Sequence, residues 1–235
     1  MANAYGTKEY LEYRQRIYKQ NDKDKWYLVD VKRSSFEKYK IVYEYLCRES
    51  EYEQYKRSRT NVELRCEMTV YKFGKLSYEC NDVYNTRYFY FTHNSNDFLL
   101  FCKDKLYGYT ILNLDTLEEI NYFPSNIVDN WQKNSAESFI IYDAMKWNYV
   151  LLLEGCFWAG PTMCCLFDLN TFKTYLIDNE EWRSVAEHGI IINDDVLTLK
   201  YDDEEMPASS SYTYEQVKAL LQASTSCDLP TIFGH

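Results

Sequence analysis

Two stretches of this chain match one another without a gap. Tyr88-Phe89-Tyr90-Phe91 followed by Asp97-Phe98-Leu99-Leu100-Phe101 falls on Phe139-Ile140-Ile141-Tyr142 followed by Asn148-Tyr149-Val150-Leu151-Leu152, an offset of 51 residues. Each copy runs into a similar closing segment. It is Ile111-Leu112-Asn113-Leu114-Asp115-Thr116-Leu117 in the first and Leu166-Phe167-Asp168-Leu169-Asn170-Thr171-Phe172 in the second. Short apolar runs that recur at a fixed period, each ending in a polar turn, point to stacked antiparallel β-sheet modules.

The repeat extends beyond these two copies. Val62, Leu64, Cys66, Met68 and Val70 alternate with polar residues, turn at Phe73-Gly74-Lys75, and return through Leu76, Tyr78 and Cys80. That is the pattern of a half-buried hairpin. A partial unit follows the second copy, with Gly189-Ile190-Ile191-Ile192 and Val196-Leu197-Thr198-Leu199 around an Asn193-Asp194-Asp195 turn. Trp131 and Trp182 stand in the two segments between units. The fold class read from this pattern is mainly β, with about 2.5 antiparallel units like propeller blades. A closed propeller needs at least about four blades. The alternatives are therefore an open fragment, a dimer that completes a ring, or a β-sandwich.

Both ends read differently. Thr7 caps a helix over 8–20, and Ser34 with Glu37 forms a capping box ahead of a helix from Phe36 to about Arg57, with Lys40-Ile41-Val42-Tyr43 as a competing strand. After Tyr201 comes the acidic run Asp202-Asp203-Glu204-Glu205, then the linker-like Pro207-Ala208-Ser209-Ser210-Ser211. Thr213 and Gln216 cap a short helix whose apolar face is Val217, Leu220 and Leu221. The expected domains are 1–60, helical or mixed; 61–206, the β repeat; and 207–235, linker and helix. The last segment, 225–235, is expected to be ordered only if it docks.

Composition narrows the function. The formal net charge is −10, which disfavours nucleic-acid phosphates and suits a basic protein partner. Tyrosine is abundant, 24 residues against 7 Gly and 4 Pro, and the shortage of Gly argues against a glycine-rich phosphate loop. The eight cysteines lie mostly within apolar strand patterns, contain no C-x-x-C pair, and read as reduced core thiols. The cluster Cys156, Cys164 and Cys165 has poor spacing for zinc. The start of the chain is polar and no apolar run approaches the ~20 residues of a membrane span. The expectation is a cytoplasmic chain with no membrane contact, no metal and no cofactor.

Catalytic signatures are weak. The histidines are His93, His188 and His235. Ser95 beside His93, or Cys156 with His188, could form part of a hydrolase, but neither has a nucleophile-elbow motif. Asp194-Asp195 and the 202–205 run lack the spacing of a calcium loop and read as solvated turns, or as an acidic surface that mimics nucleic acid. The insertion Gly155-Cys156-Phe157-Trp158-Ala159-Gly160-Pro161 places two large aromatics between glycines, so Phe157 and Trp158 are candidate anchors for a protein partner. Tyr107, Tyr109, Asp202, Asp203, Glu204 and Glu205 complete the candidate binding set.

This insertion, with Leu166-Phe167-Asp168-Leu169 after it, resembles a segment of uncharacterised bacterial β-propeller-like repeat proteins. There a glycine-cysteine-aromatic-Trp turn and a proline precede an aromatic-Asp strand. The resemblance covers some twenty residues and implies a propeller-like sheet stack with no assigned activity. The function expected from the sequence is a non-enzymatic interaction module, such as an acidic inhibitor or immunity-type protein. A small hydrolase using His93 or Cys156, and a self-assembling structural protein whose sheet edges pair between copies, are the alternatives.

Overall fold

A computed structural model describes residues 25–58, 62, 64–81, 88–102, 109–122, 139–157, 162–177, 179–183, 185–201 and 209–227. The expected helix over 8–20, Trp131 and the 202–205 run lie outside them. Strands dominate, and they form four antiparallel sheets taken in chain order. The first holds β1 (Trp26–Phe36), β2 (Tyr39–Arg48), β3 (Arg65–Lys72) and β4 (Lys75–Cys80). In the second are β5 (Tyr88–His93), β6 (Asn96–Phe101), β7 (Tyr109–Asn113) and β8 (Glu119–Tyr122). The third comprises β9 (Phe139–Trp147), β10 (Val150–Phe157), β11 (Met163–Asp168) and β12 (Lys173–Leu176). Three strands, β13 (Val185–Asn193), β14 (Val196–Tyr201) and β15 (Ser209–Thr213), make the fourth.

The expected helix from Phe36 to Arg57 is replaced by strand. β1 and β2 form a hairpin turning at Glu37-Lys38, and only the 3₁₀ turn Glu49–Glu51 and the short helix α1 (Tyr52–Arg57) follow. Tyr39, Ile41 and Tyr43 are buried against the second sheet while Lys40 is exposed, a period of two. Aromatics are so frequent here that a helical spacing arises by coincidence, and β-branched and aromatic residues favour the pleated alternative. The expected capping box is also absent. The Ser34 hydroxyl pairs with the Tyr88 hydroxyl, and Glu37 sits in the left-handed region at φ 41°.

β2 pairs with β3 over eight residue pairs, so the boundary expected at 60/61 falls inside one sheet. The one expected at 206/207 does too, since β15 pairs with β14 from Val196↔Thr213 to Lys200↔Ser209. The serines expected to be linker are an edge strand. The terminal helix α3 (Tyr214–Ala223) matches expectation, with a Thr213–Gln216 capping box and Val217 buried. Beyond it, Cys227 is buried and its N–H donates to the Thr174 carbonyl at 3.0 Å, which docks 226–227 onto β12.

Neighbouring sheets pack face to face. Ile41, Tyr43 and Met68 of the first meet Leu99, Phe101 and Leu112 of the second. Phe98, Leu100 and Ile111, on the other face of the second, meet Leu151, Leu153 and Phe167 of the third. Val150, Leu152 and Leu166 then meet Leu197, Leu199, Val217 and Trp182, the last on the short helix α2 (Glu180–Arg183). Because middle sheets are covered on both faces, β6 and β10 are nearly continuous apolar runs. Each large side chain so buried contributes roughly 1.5–3 kcal/mol. Among the described residues, no such cluster joins the first sheet to the fourth, and no closed barrel or ring forms.

The gapless match needs a correction in register. Across the second sheet Tyr90 faces Leu99, which faces Leu112. The corresponding line in the third is Lys146, Leu151 and Phe167, with Leu99 and Leu151 both facing the preceding sheet. The offset for β6 and β10 is thus 52, and an offset of 51 pairs residues on opposite faces. Phe139–Ile141 lie at the far end of the longer β9, opposite Gly155–Phe157. The closing turns do correspond. Leu117 N–H donates to Asn113 O and Phe172 N–H to Asp168 O, both at 2.8 Å, with Leu117 and Phe172 at φ 64° and 53°.

Candidate functional site

A meander places alternate turns at one end of its sheet, and cross-sheet contacts bring those ends together. Within the first sheet the Phe73 N–H donates to the Lys38 carbonyl at 2.8 Å, joining its two turns. Leu114 donates likewise to Asp97 in the second sheet at 2.8 Å, and Leu169 to Tyr149 in the third at 2.9 Å.

Between the first two sheets lies a polar cluster. Lys38 Nζ is 2.9 Å from Asp97 Oδ2 and 3.1 Å from Asp115 Oδ1, and Lys72 Nζ is 3.0 Å from Asp115 Oδ1. The Tyr39 hydroxyl donates to Asp115 at 2.9 Å and Tyr90 to Asp97 at 2.7 Å. The Asp97 backbone N–H, donating to Asp115, and then Lys72 hold the Asp115 carboxyl well below the usual range. Asp97 is also lowered: burial opposes this, but Lys38, Tyr90 and Thr92 outweigh it. Lys38 is raised by the same two carboxylates.

The second and third sheets meet at this end through rings. His93 is edge-on to Tyr149 at 5.8 Å and to Phe172 at 6.5 Å. Burial, then the Lys146 charge, lowers the His93 pKa. The fourth sheet joins through Tyr214, which is edge-on to Trp147 at 5.3 Å and follows Thr213, the cross-strand partner of Val196.

Each sheet exposes a large apolar side chain at or beside a turn of this end: Phe73, Leu117, Tyr149 and Val196, at 76%, 42%, 50% and 41% exposure. Phe73 and Leu117 do so from left-handed backbone, φ 50° and 64°. Bulky residues there are uncommon, and strain of about 1–3 kcal/mol persists only where surroundings impose it. Sequence reasoning missed these four because they belong to different sheets, separated by 32 to 47 residues. The available signal was a Phe before Gly74, where a tight hairpin ordinarily has Asn or Asp.

The sequence-derived candidates fare differently. Tyr109 is 2% exposed, stacked on Tyr122 at 5.1 Å and bonded to the Thr174 hydroxyl, so it is core and not a partner contact. Tyr107, Trp158, Asp202, Asp203, Glu204 and Glu205 lie outside the described residues, and Phe157 ends β10. Asp194 and Asp195 form an exposed turn, as expected.

His93 contacts Tyr149, in the turn before β10, and Cys156 lies near the other end of that strand. His93 Nε2 pairs with the Asn94 side chain at 3.0 Å rather than with Ser95. The Cys156 thiol pairs with the Tyr142 hydroxyl at 2.7 Å. All eight cysteines are buried, none in a disulfide, and burial pushes the Cys66 thiol up to about 12, far from a reactive thiolate. Among the described residues no group of His, Cys, Asp or Glu is placed to hold a metal ion, and no helix is long and apolar enough to cross a membrane.

No family model matches this chain, and comparison with curated proteins and with solved structures finds no match.

Proposed function

We propose that this protein is a non-enzymatic interaction module that engages a basic protein partner through the turn end of its four sheets. One observation carries this reading: four sheets, stacked in chain order, each expose at least one large apolar residue at the same end, two of them in left-handed backbone, while Tyr27, Leu28, Leu76 and Ile120 are exposed along the strands of the first two sheets. Scattered exposed apolar residues need no explanation, but convergence on one end marks a contact surface. The chain's net charge of −10 favours a cationic partner and repels nucleic acid. An inhibitor that covers a basic surface fits this chemistry. The four consecutive meanders also support reading the sheets as propeller-blade-like modules, in keeping with the resemblance around Gly155–Pro161.

The test is site-specific photo-crosslinking in the native cell from positions 73 and 149, with position 40 on the outer face of the first sheet as control. The expected result is one shared adduct from 73 and 149, absent from 40, to a protein of pI above ~9. Adducts only between copies of this chain, or none, would overturn the reading.

A further inference from the structure

A cleft of about 280 Å³ opens between the edge strands of three sheets: β5, β9 and β13. Its lining includes Phe89, Ile141, Tyr142, Asp143 and His188, with Tyr88 at its border, whose ring stacks on Tyr43 of the first sheet. Backbone irregularities shape it on two sides. β9 skips Tyr142 in its pairing with β10, Ile141 facing Gly155 and Asp143 facing Glu154. β13 loses register with β14 between Val185 and Ile190, and inside that break His188 takes φ 59° while its N–H donates to the buried Glu154 carboxylate at 2.8 Å. Glycine secures both places. A Cβ on Gly155 would stand 2.1 Å from Ile140 O, and one on Gly189 2.7 Å from Ala186 O. Bulges gather where a strand must re-aim a side chain. Here the bulge in β9 falls at Tyr142 and Asp143, two successive residues that both line the opening.

Asp143 is exposed, and among the described residues its carboxylate forms no ion pair and accepts the neighbouring Ala144 N–H at 2.7 Å. Two nearby hydroxyls are already engaged, Tyr142 with Cys156 and Tyr88 with Ser34. The cleft therefore offers a negative charge beside aromatic residues. A primary ammonium needs three acceptors to replace its water, whereas an alkylated ammonium needs none and is attracted to ring faces. We propose that this cleft binds an organic cation of the alkylated-ammonium class, with Asp143 as counter-ion and Phe89 and Tyr142 as the aromatic wall.

The test is calorimetric titration of the full chain at pH 8 with choline, with its uncharged carbon isostere 3,3-dimethylbutan-1-ol, and with a short trimethyllysine peptide. The expected result is saturable binding of a trimethylammonium compound, about tenfold tighter than the isostere. Asp143→Asn should weaken the cation about tenfold and leave the isostere unchanged, and Phe89→Leu should weaken it by a smaller factor. Asp143 is exposed, so its variant tests the site without disturbing the core. Tighter binding of choline assigns the cleft to a free cation, and tighter binding of the peptide to a modified protein tail. No binding of either at 10 mM, equal affinity for cation and isostere, or indifference to Asp143→Asn would each overturn the proposal.

Discussion

The turn end is closed in two chemically different ways. Between the first and second sheets the closure is ionic, with Lys38 and Lys72 clamped on Asp97 and Asp115. Between the second and third it is aromatic, with His93, Tyr149, Phe172 and Phe98 in contact and Phe167 beneath them. The two share a geometry but not a dependence on conditions. Charges that are partly open to water are screened by salt and titrate with acid. Ring packing responds to neither, except through its one histidine.

The largest break in this comparison is Phe167→Ala. Phe167 is fully buried, with ring centroids 5.0 Å from Tyr122, 5.9 Å from Phe172 and 6.1 Å from Tyr109. Its truncation should cost about 3–5 kcal/mol in denaturant unfolding, unchanged between 0.1 and 1 M salt.

Asp115→Ala should cost less, about 1–3 kcal/mol, because Asp115, Lys38 and Lys72 are each about a quarter to a third exposed. The loss should shrink in high salt. Both carboxyls are depressed in the folded state, so their contribution is complete above the unfolded pKa near 4 and disappears as the pH falls through their folded values. Acid unfolding of the variant should accordingly be shallower than that of the parent below about pH 4. Equal slopes would remove the ionic closure from the account.

The smallest effect belongs to His93→Gln. Burial lowers the pKa of His93, so below the ordinary value of 6.5 the unfolded chain binds the proton more readily than the folded one. Stability from this group is complete above pH 6.5 and falls as the pH drops from there through the lowered folded-state value. The variant should flatten the stability profile over that interval. An unchanged slope would place the titration elsewhere.

Sequence pattern located the strands wherever one or both faces were plainly apolar. The hairpin of β3 and β4, the apolar runs of β6 and β10, and the capped helix α3 were legible because alternation, continuous burial and a Thr213–Gln216 box each have one local cause. The first hairpin was not legible. Phe36, Tyr39, Tyr43 and Leu46 satisfy a helical spacing as well as a strand, and only the second sheet's buried face decides between them. Ser209–Thr213 failed for the reverse reason: serines carry no apolar signal, and the strand exists because β14 offers it a ladder.

The candidate surface was less legible still. Phe73, Leu117, Tyr149 and Val196 are unremarkable one at a time, and the polar clamp spans 77 residues from Lys38 to Asp115. By itself the sequence determined a mainly β chain of consecutive antiparallel units, because alternation and turn chemistry act over a few residues. Tertiary structure alone decided which strands became neighbours, which turns share one end, and that an aromatic residue, an acidic residue and two bulges border one cleft. Those outcomes depend on sheets packing face to face, and contacts between sheets leave no period in the chain.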